Sequence, residues 1–224
     1  RKLHLPEKLN EETTQECKKG IVIDVEATGL NIGHDDVIQL AMLPFQYEVP
    51  SGKITIINKN KSFNGYREPA IPISEEAQLI TGITNEMVAN KNIKAEEINQ
   101  IVKNTDLIIA HNASFDRPMV ESHWDCFKNV AWACTFKSIN WLKEGFNSAK
   151  LEMLGMDYGW FYDGHDALND CEACLALLSE NLPVTNKSVF SICRKFFTDL
   201  VVFSNISSSV ISPLQEPTLI CCLD

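Results

Sequence analysis

An α/β fold with a mixed central sheet is what this chain of 224 residues predicts. Two observations carry that expectation. The chain opens with three apolar, β-branched runs separated by turn residues. Later, short apolar runs alternate with longer stretches of helical periodicity. Strands first, then helices interleaved with strands, pack as a sheet flanked by helices.

Residues 1–18 are polar and charged, and read as a loose lead-in to a domain spanning 19–183. Ile21 to Val25 is a buried strand by its apolar, β-branched composition. Val37 to Gln46 and Lys53 to Asn58 are two further strands, joined by a turn at Pro50-Ser-Gly52. Ser74-Glu-Glu-Ala opens a capped helix with acids in its first turn. Ala95 to Lys103 is helical, Asp106 to Ala110 a short strand, and Pro118 to Trp124 the helix after it. Asn129 to Cys134 is another strand, with helices near 136–144, 149–157 and 167–181. From Val184 to Asp224 the composition turns to Ser, Val, Ile and Phe. Val189, Phe190, Cys193, Phe196, Phe197, Leu200 and Val201 recur at helical spacing there. That stripe reads as a helix docked on its own domain or as a partner-binding helix.

The net charge is −10, so no broad basic surface draws in nucleic acid. Attraction to a polyanion would have to come from bound metal and a few placed groups. The eight Cys show no disulfide-framework spacing, which points to reduced thiols and a cytoplasmic location. No charged-then-apolar leader opens the chain, and no run reaches about 18 apolar residues, so no membrane association is expected. Cys171 and Cys174 share an apolar helical stripe and read as buried core thiols rather than a redox or zinc pair.

Chemistry concentrates in five residues. Asp24 and Glu26 lie two apart in a strand, so both side chains project from one face. At an effective dielectric near 20, unit charges about 4 Å apart interact by about 4 kcal/mol. A divalent cation with hard oxygen ligands relieves that repulsion; a strand end where both acids reach solvent is the alternative. Asp116 follows the Leu107–Ala110 run through His111 and Asn112, a turn or N-cap residue, and stands near a helix N-terminus. The helix dipole alone would stabilise it there. His165 lies in a Gly-flanked loop, and Asp170 sits one turn on, against the inward stripe of Ala167, Cys171 and Cys174. An inward carboxylate needs a partner; a metal supplies one, and a surface His with a capping Asp is the plainer account.

The segments Asp24-Val-Glu-Ala-Thr-Gly-Leu30, His111-Asn-Ala-Ser-Phe-Asp116 and His165-Asp-Ala-Leu-Asn-Asp170 closely resemble, in order, the three motifs of the DnaQ-like (DEDDh) exonucleases. Ile80-Thr-Gly-Ile-Thr84 between the first two fits the same family, and the resemblance spans about residues 20–182. It implies a ribonuclease H-like fold and a 3′–5′ exonuclease that releases nucleoside 5′-monophosphates, with DNA favoured over RNA trimming. Two ions of Mg²⁺ or Mn²⁺ are implied, roughly 3.5–4 Å apart. Asp24, Glu26 and Asp170 would hold the first, Asp24 and Asp116 the second, and His165 would act as general base. Thr28, Gly29, Leu30, Asn112 and Phe115 are the candidate substrate-binding residues, with Thr-Gly amides on the terminal nucleotide and Leu30 against its base. The partner would be a single-stranded nucleic acid 3′ end, and the tail a contact to a polymerase or other protein. A non-catalytic binding module of the same fold is the rival. Asp166 stands where many relatives carry a basic residue, which bears on phosphate contact and on His165. Trp124, Trp132 and Trp141 read as core, and Trp160 as a strand-guiding element in a loop bordering the site.

Overall fold

The structure is a computed structural model that describes residues 1–5, 15–49 and 51–195. Six strands form one sheet: β1 (Cys17–Ala27), β2 (Val37–Glu48), β3 (Ile54–Ile57), β4 (Phe63–Tyr66), β5 (Leu107–Ala110) and β6 (Ala131–Cys134). Their order is β3-β2-β1-β5-β6, and β4 pairs beside β3 on the far edge of β2. The β1–β2, β2–β3 and β2–β4 pairs are antiparallel, whereas β1–β5 and β5–β6 are parallel. The sheet is therefore mixed, as expected, with β1 at its centre.

Around it, among the described residues, lie the helices α1 (Glu75–Thr81), α2 (Asn85–Val88), α3 (Ala95–Val102), α4 (Ala113–His123), α5 (Thr135–Ser138), α6 (Leu151–Asp157) and α7 (Ala167–Leu178), with a further helical stretch at 189–195. The sheet has apolar cores on both faces. One buries Ile21, Ile23 and Val25 of β1 with Ile98 of α3 and Val120 of α4. The other buries Val22 with Cys171, Cys174 and Leu175 of α7 and Leu154 of α6. Strand parity sorts β1 between them. Burial pushes the Cys171 and Cys174 thiols well above their ordinary range, and all six described cysteines are free.

The structure corrects several expectations. β4 was not among the expected strands. A Cβ at Gly65 would lie 2.6 Å from the Phe63 ring, so glycine allows the ring to fold over the strand. α4 opens at Ala113, five residues before Pro118, because Asn112 C=O accepts from the Phe115 amide. Pro118 then sits in the second turn. The expected helix at 136–144 ends at Ser138. There Trp141 turns inward to donate to Thr135 O at 3.0 Å, and Gly145 takes φ +92°.

Residues 1–5 are not loose. Leu3 N donates to Phe161 O at 2.8 Å, Phe161 N donates to Arg1 O at 3.0 Å, and Leu5 is buried. Apolar Leu3 and Leu5 give this strap something to bury. Part of the stretch after residue 183 packs on the sheet domain. Residues 189–195 are helical, and Val189, Phe190 and Cys193 are buried in the α7-side core. The Phe190 ring meets Tyr47 and Phe45 edge-on at 4.9 and 5.8 Å. The later stripe residues Phe196, Phe197, Leu200 and Val201, and the rest of the tail, lie outside the described residues. No helix among the described residues is long and apolar enough to cross a membrane.

Phe190→Ala is expected to lower stability by about 3–5 kcal/mol, as for other buried aromatics, in equilibrium urea unfolding. A loss near zero would place residues 189–195 outside the folded unit.

Candidate active site

The site forms where β1 outruns its parallel neighbour. The β1–β5 pairing covers Gly20 to Val22 only. Beyond it the Val25 amide needs another acceptor. Asp116, in the first turn of α4, supplies it, with Oδ1 3.2 Å from Val25 N. That bond draws the α4 carboxylate against β1, beside Asp24 and Glu26.

On the other face, α7 packs along β1 and β2. Cys171 Sγ lies 3.6 Å from both Val22 O and Ala41 O. Asp170, one residue earlier, is thereby held over the end of β1. Asp24, Glu26 and Asp170 offer carboxylate oxygens that all lie within 4.8 Å of one another. Among the described residues no hydrogen bond or ion pair reaches the carboxylate of Asp24 or of Glu26. Three hard oxygen donors at this spacing, with Asp116 adjacent, fit a divalent metal ion that prefers oxygen ligands.

Electrostatics say the same. Burial, then Asp116, Asp170 and Glu26, raise Asp24 well above the carboxyl range. Burial and then Asp170 and Asp116 push Glu26 up to about 8. Burial raises Asp116 to about 7 despite its bond from Val25, and burial raises Asp170 also. Four carboxyls shifted upward together mark a charge excess that a cation would offset.

His165 stands at the mouth, with its side chain 57% exposed and φ +62°, an uncommon conformation for a residue other than glycine. Its Nε2 lies 3.8 Å from Glu152 Oε1 of α6. Asp24, Glu26, His111, Asn112, Phe115, Phe136, Lys150, Glu152, His165 and Asp170 line an open cleft of about 410 Å³. A neighbouring trough of about 380 Å³ shares Val25, Glu26 and Phe115, and adds Thr28, Gly29, Leu30 and Ile80.

The candidate substrate contacts divide. Leu30 is 84% exposed, and Phe115 lines both hollows. Asn112 caps α4 by position, and its Oδ1 accepts from Ser114 Oγ at 2.7 Å. Thr28 does not present its amide. That N–H donates to Asp36 O at 2.9 Å, and its hydroxyl bonds Asp35 and the Asp36 amide. Thr28 braces the loop after β1 instead. Gly29 is required beside it, because a Cβ there would meet the Asp35 carboxylate at 2.6 Å.

Two further readings change. Asp166 does not face a substrate path. It caps α7 by accepting from Asn169 N at 3.0 Å and accepts from Gln39 Nε2 at 3.2 Å. Trp160 is buried, not strand-guiding, because its ring fills the notch left by Gly155, where a Cβ would lie 2.4 Å away. From the same segment Tyr162 reaches the site, donating to Asp170 Oδ1 at 2.7 Å. Burial and the Asp170 charge raise its hydroxyl above the ordinary range, so it stays a donor.

Comparison with known proteins decides the family. The family model described as "RNase_T: Exonuclease" matches residues 21–178. The chain belongs to the exonuclease family. This exonuclease domain is 33% identical over 102 residues to DNA polymerase III PolC-type of Bacillus subtilis, covering 43% of this chain. It is 32% identical over 110 residues to the Listeria monocytogenes PolC-type enzyme. The chain spans only 6% and 7% of those polymerases. Among solved structures it is similar to Exonuclease X in complex with 5′ overhanging duplex DNA. The identity is 27% and the TM-score 0.54, over 78% of this chain and 99% of that one. E. coli Exonuclease I in complex with a dA16 oligonucleotide shares the fold, at 16% identity and TM-score 0.59, covering 87% of this chain and 46% of that one. The fold is thus the ribonuclease H-like mixed sheet of these exonucleases.

Sequence reasoning missed Gln39, Tyr162 and Glu152. Gln39 is fully buried in β2, opposite Glu26, and its Oε1 accepts from Ala167 N at 3.3 Å at the start of α7. An amide within the apolar run Val37-Ile-Gln-Leu-Ala-Met-Leu43 was its signal.

The exonuclease domain without metal should lose stability as pH rises from about 6.5 to 8. Glu26 and Asp116 hold protons more tightly folded than unfolded, so each upward step favours the unfolded chain. His111, lowered by burial to about 4, opposes this only below its unfolded value of 6.5. The slope is about 1.4 kcal/mol per pH unit for each group still titrating. Urea unfolding in chelator checks it, and Mn²⁺ should flatten the slope.

Proposed function

We propose that this domain is a 3′–5′ exonuclease that hydrolyses the terminal phosphodiester of single-stranded DNA and releases nucleoside 5′-monophosphates. The observation that carries the reading is the convergence of Asp24, Glu26 and Asp170 oxygens within 4.8 Å, with Asp116 bonded to the same strand and His165 at the mouth. DNA is favoured because the similar Exonuclease X structure holds duplex DNA and the curated relatives are DNA polymerases.

Asp24, Glu26 and Asp170 would hold one divalent cation, and Asp24 with Asp116 a second. Bound Mg²⁺ or Mn²⁺ lowers the pKa of water and offsets charge on the phosphate. The chain's own groups do the rest. His165, exposed at the mouth, accepts the proton of the attacking water as its oxygen bonds to phosphorus. Glu152 beside it stabilises the imidazolium that results. The bond from phosphorus to the 3′ oxygen breaks, and that oxygen leaves with a proton drawn from solvent. Leu30 and Phe115 offer apolar surface to the terminal base, and Asn112 lines the adjoining wall. The Gly29 amide donates to no group among the described residues, and takes the nucleotide-facing role expected of the Thr-Gly turn.

A cytoplasmic location is proposed on the free cysteines. A polymerase contact through the chain beyond residue 195 is proposed on the apolar composition of that tail and the PolC-type relatives.

Digestion of 5′-labelled single-stranded DNA, mismatched duplex DNA and single-stranded RNA tests the reading. A one-nucleotide ladder on DNA in Mg²⁺ and none in chelator is expected. Asp24→Asn should abolish it, and His165→Ala should slow it about 10²–10⁴-fold. RNA cut faster than DNA would overturn the substrate, and full activity in either variant would overturn the mechanism.

A further inference from the structure

The hydrolysis above does not use the tyrosine beside the carboxylate cluster. The Tyr162 hydroxyl donates to Asp170 Oδ1 at 2.7 Å. We propose that Tyr162 is a positioning residue that fixes the Asp170 carboxylate in its metal-holding orientation. The inference rests on the exonuclease reading of the same site.

A carboxylate has two oxygens, and Tyr162 takes one. The carboxylate also offers an oxygen within 4.8 Å of those of Asp24 and Glu26, and the His165 backbone bonds it as well. Without the hydroxyl, Asp170 in the first turn of α7 would keep only the His165 backbone bond against repulsion from three other carboxylates, and its carboxylate would turn more freely. A phenol suits the task. It has few torsions to freeze, and it donates here to an acceptor that carries charge, which makes the stronger kind of hydrogen bond.

The segment that carries Tyr162 is itself held firm. Trp160 fills the Gly155 notch, and its ring centroid lies 6.1 Å from that of Tyr162. The backbone of Phe161 pairs with the strap at Leu3. His165 follows three residues after Tyr162. One braced stretch of chain thus presents the proton acceptor and orients a metal ligand from the opposite side of the cleft to β1. Partners of this kind are typically worth about 10–100-fold in metal affinity or activity.

Mn²⁺ titration calorimetry on the full chain tests the proposal, with wild type, Tyr162→Phe and Tyr158→Phe. Tyr158→Phe also loses one hydroxyl hydrogen bond, but that bond goes to Asn181 O, away from Asp170. Tyr162→Phe should bind Mn²⁺ about 10–100-fold more weakly. The Mg²⁺ concentration for half-maximal activity should rise by a similar factor, while KM for DNA at saturating Mg²⁺ stays the same. Its melting temperature in chelator should match wild type, and Tyr158→Phe should keep wild-type affinity. Equal affinity in Tyr162→Phe and wild type overturns the inference. So does an equal loss in Tyr158→Phe, or a Tyr162→Phe protein that melts well below wild type. Wild type that binds no Mn²⁺ overturns the exonuclease reading itself.

Discussion

Everything at the site depends on how β1 is placed. It is the central strand, paired on both edges and covered on both faces, and its last residues carry two carboxylates. A strand so enclosed has no freedom to turn its acids outward. The charge must be met where it stands, and the surrounding elements bring more acid rather than base. Asp116 arrives because the Val25 amide outruns β5, and Asp170 because α7 packs on the same strand. The energy of an apolar core is thereby spent on holding like charges together, as preorganised sites for cations require.

The two sides of the cleft differ in how they are anchored. The β1 side is part of the sheet. The His165 side hangs on a bent segment fixed by the strap at one end and the α7 cap at the other. Gln39 links the two, because it lies opposite Glu26 in β2 and holds both Asp166 and the Ala167 amide. His165 itself, in a left-handed backbone conformation, sits between these anchors and is open to solvent. That suits a group that meets water and then gives its proton away.

Much of this was legible in the residues. Periodicity of two placed Asp24 and Glu26 together, and periodicity near 3.6 turned Asp170 inward. The same helical stripe identified Cys171 and Cys174 as core. What could not be read depended on partners far along the chain. Tyr162 matters only because a buried Trp160 aims it, and Trp160 is buried only because Gly155 leaves a notch. Thr28 seemed free to hold a ligand until the Asp35–Asp36 loop folded back on it. Asp166 looked like a substrate-facing acid, yet helix capping and a buried Gln39 claim it. Local pattern fixes direction along an element, whereas the meaning of a side chain depends on what the fold brings opposite it.

The parity of β1 makes the domain unusually brittle to insertion and deletion. Ile23 and Val25 face one core, and Asp24 and Glu26 point to the other side. A single residue gained or lost between the two ends of β1 would exchange those faces. Two aliphatic side chains would enter the cleft, and two carboxylates would be driven against Ile98 and Val120. The error would strip the catalytic wall and charge the hydrophobic interior in one stroke. A change of length is therefore expected to be borne in the connections between strands, whereas β1 should accept only replacements.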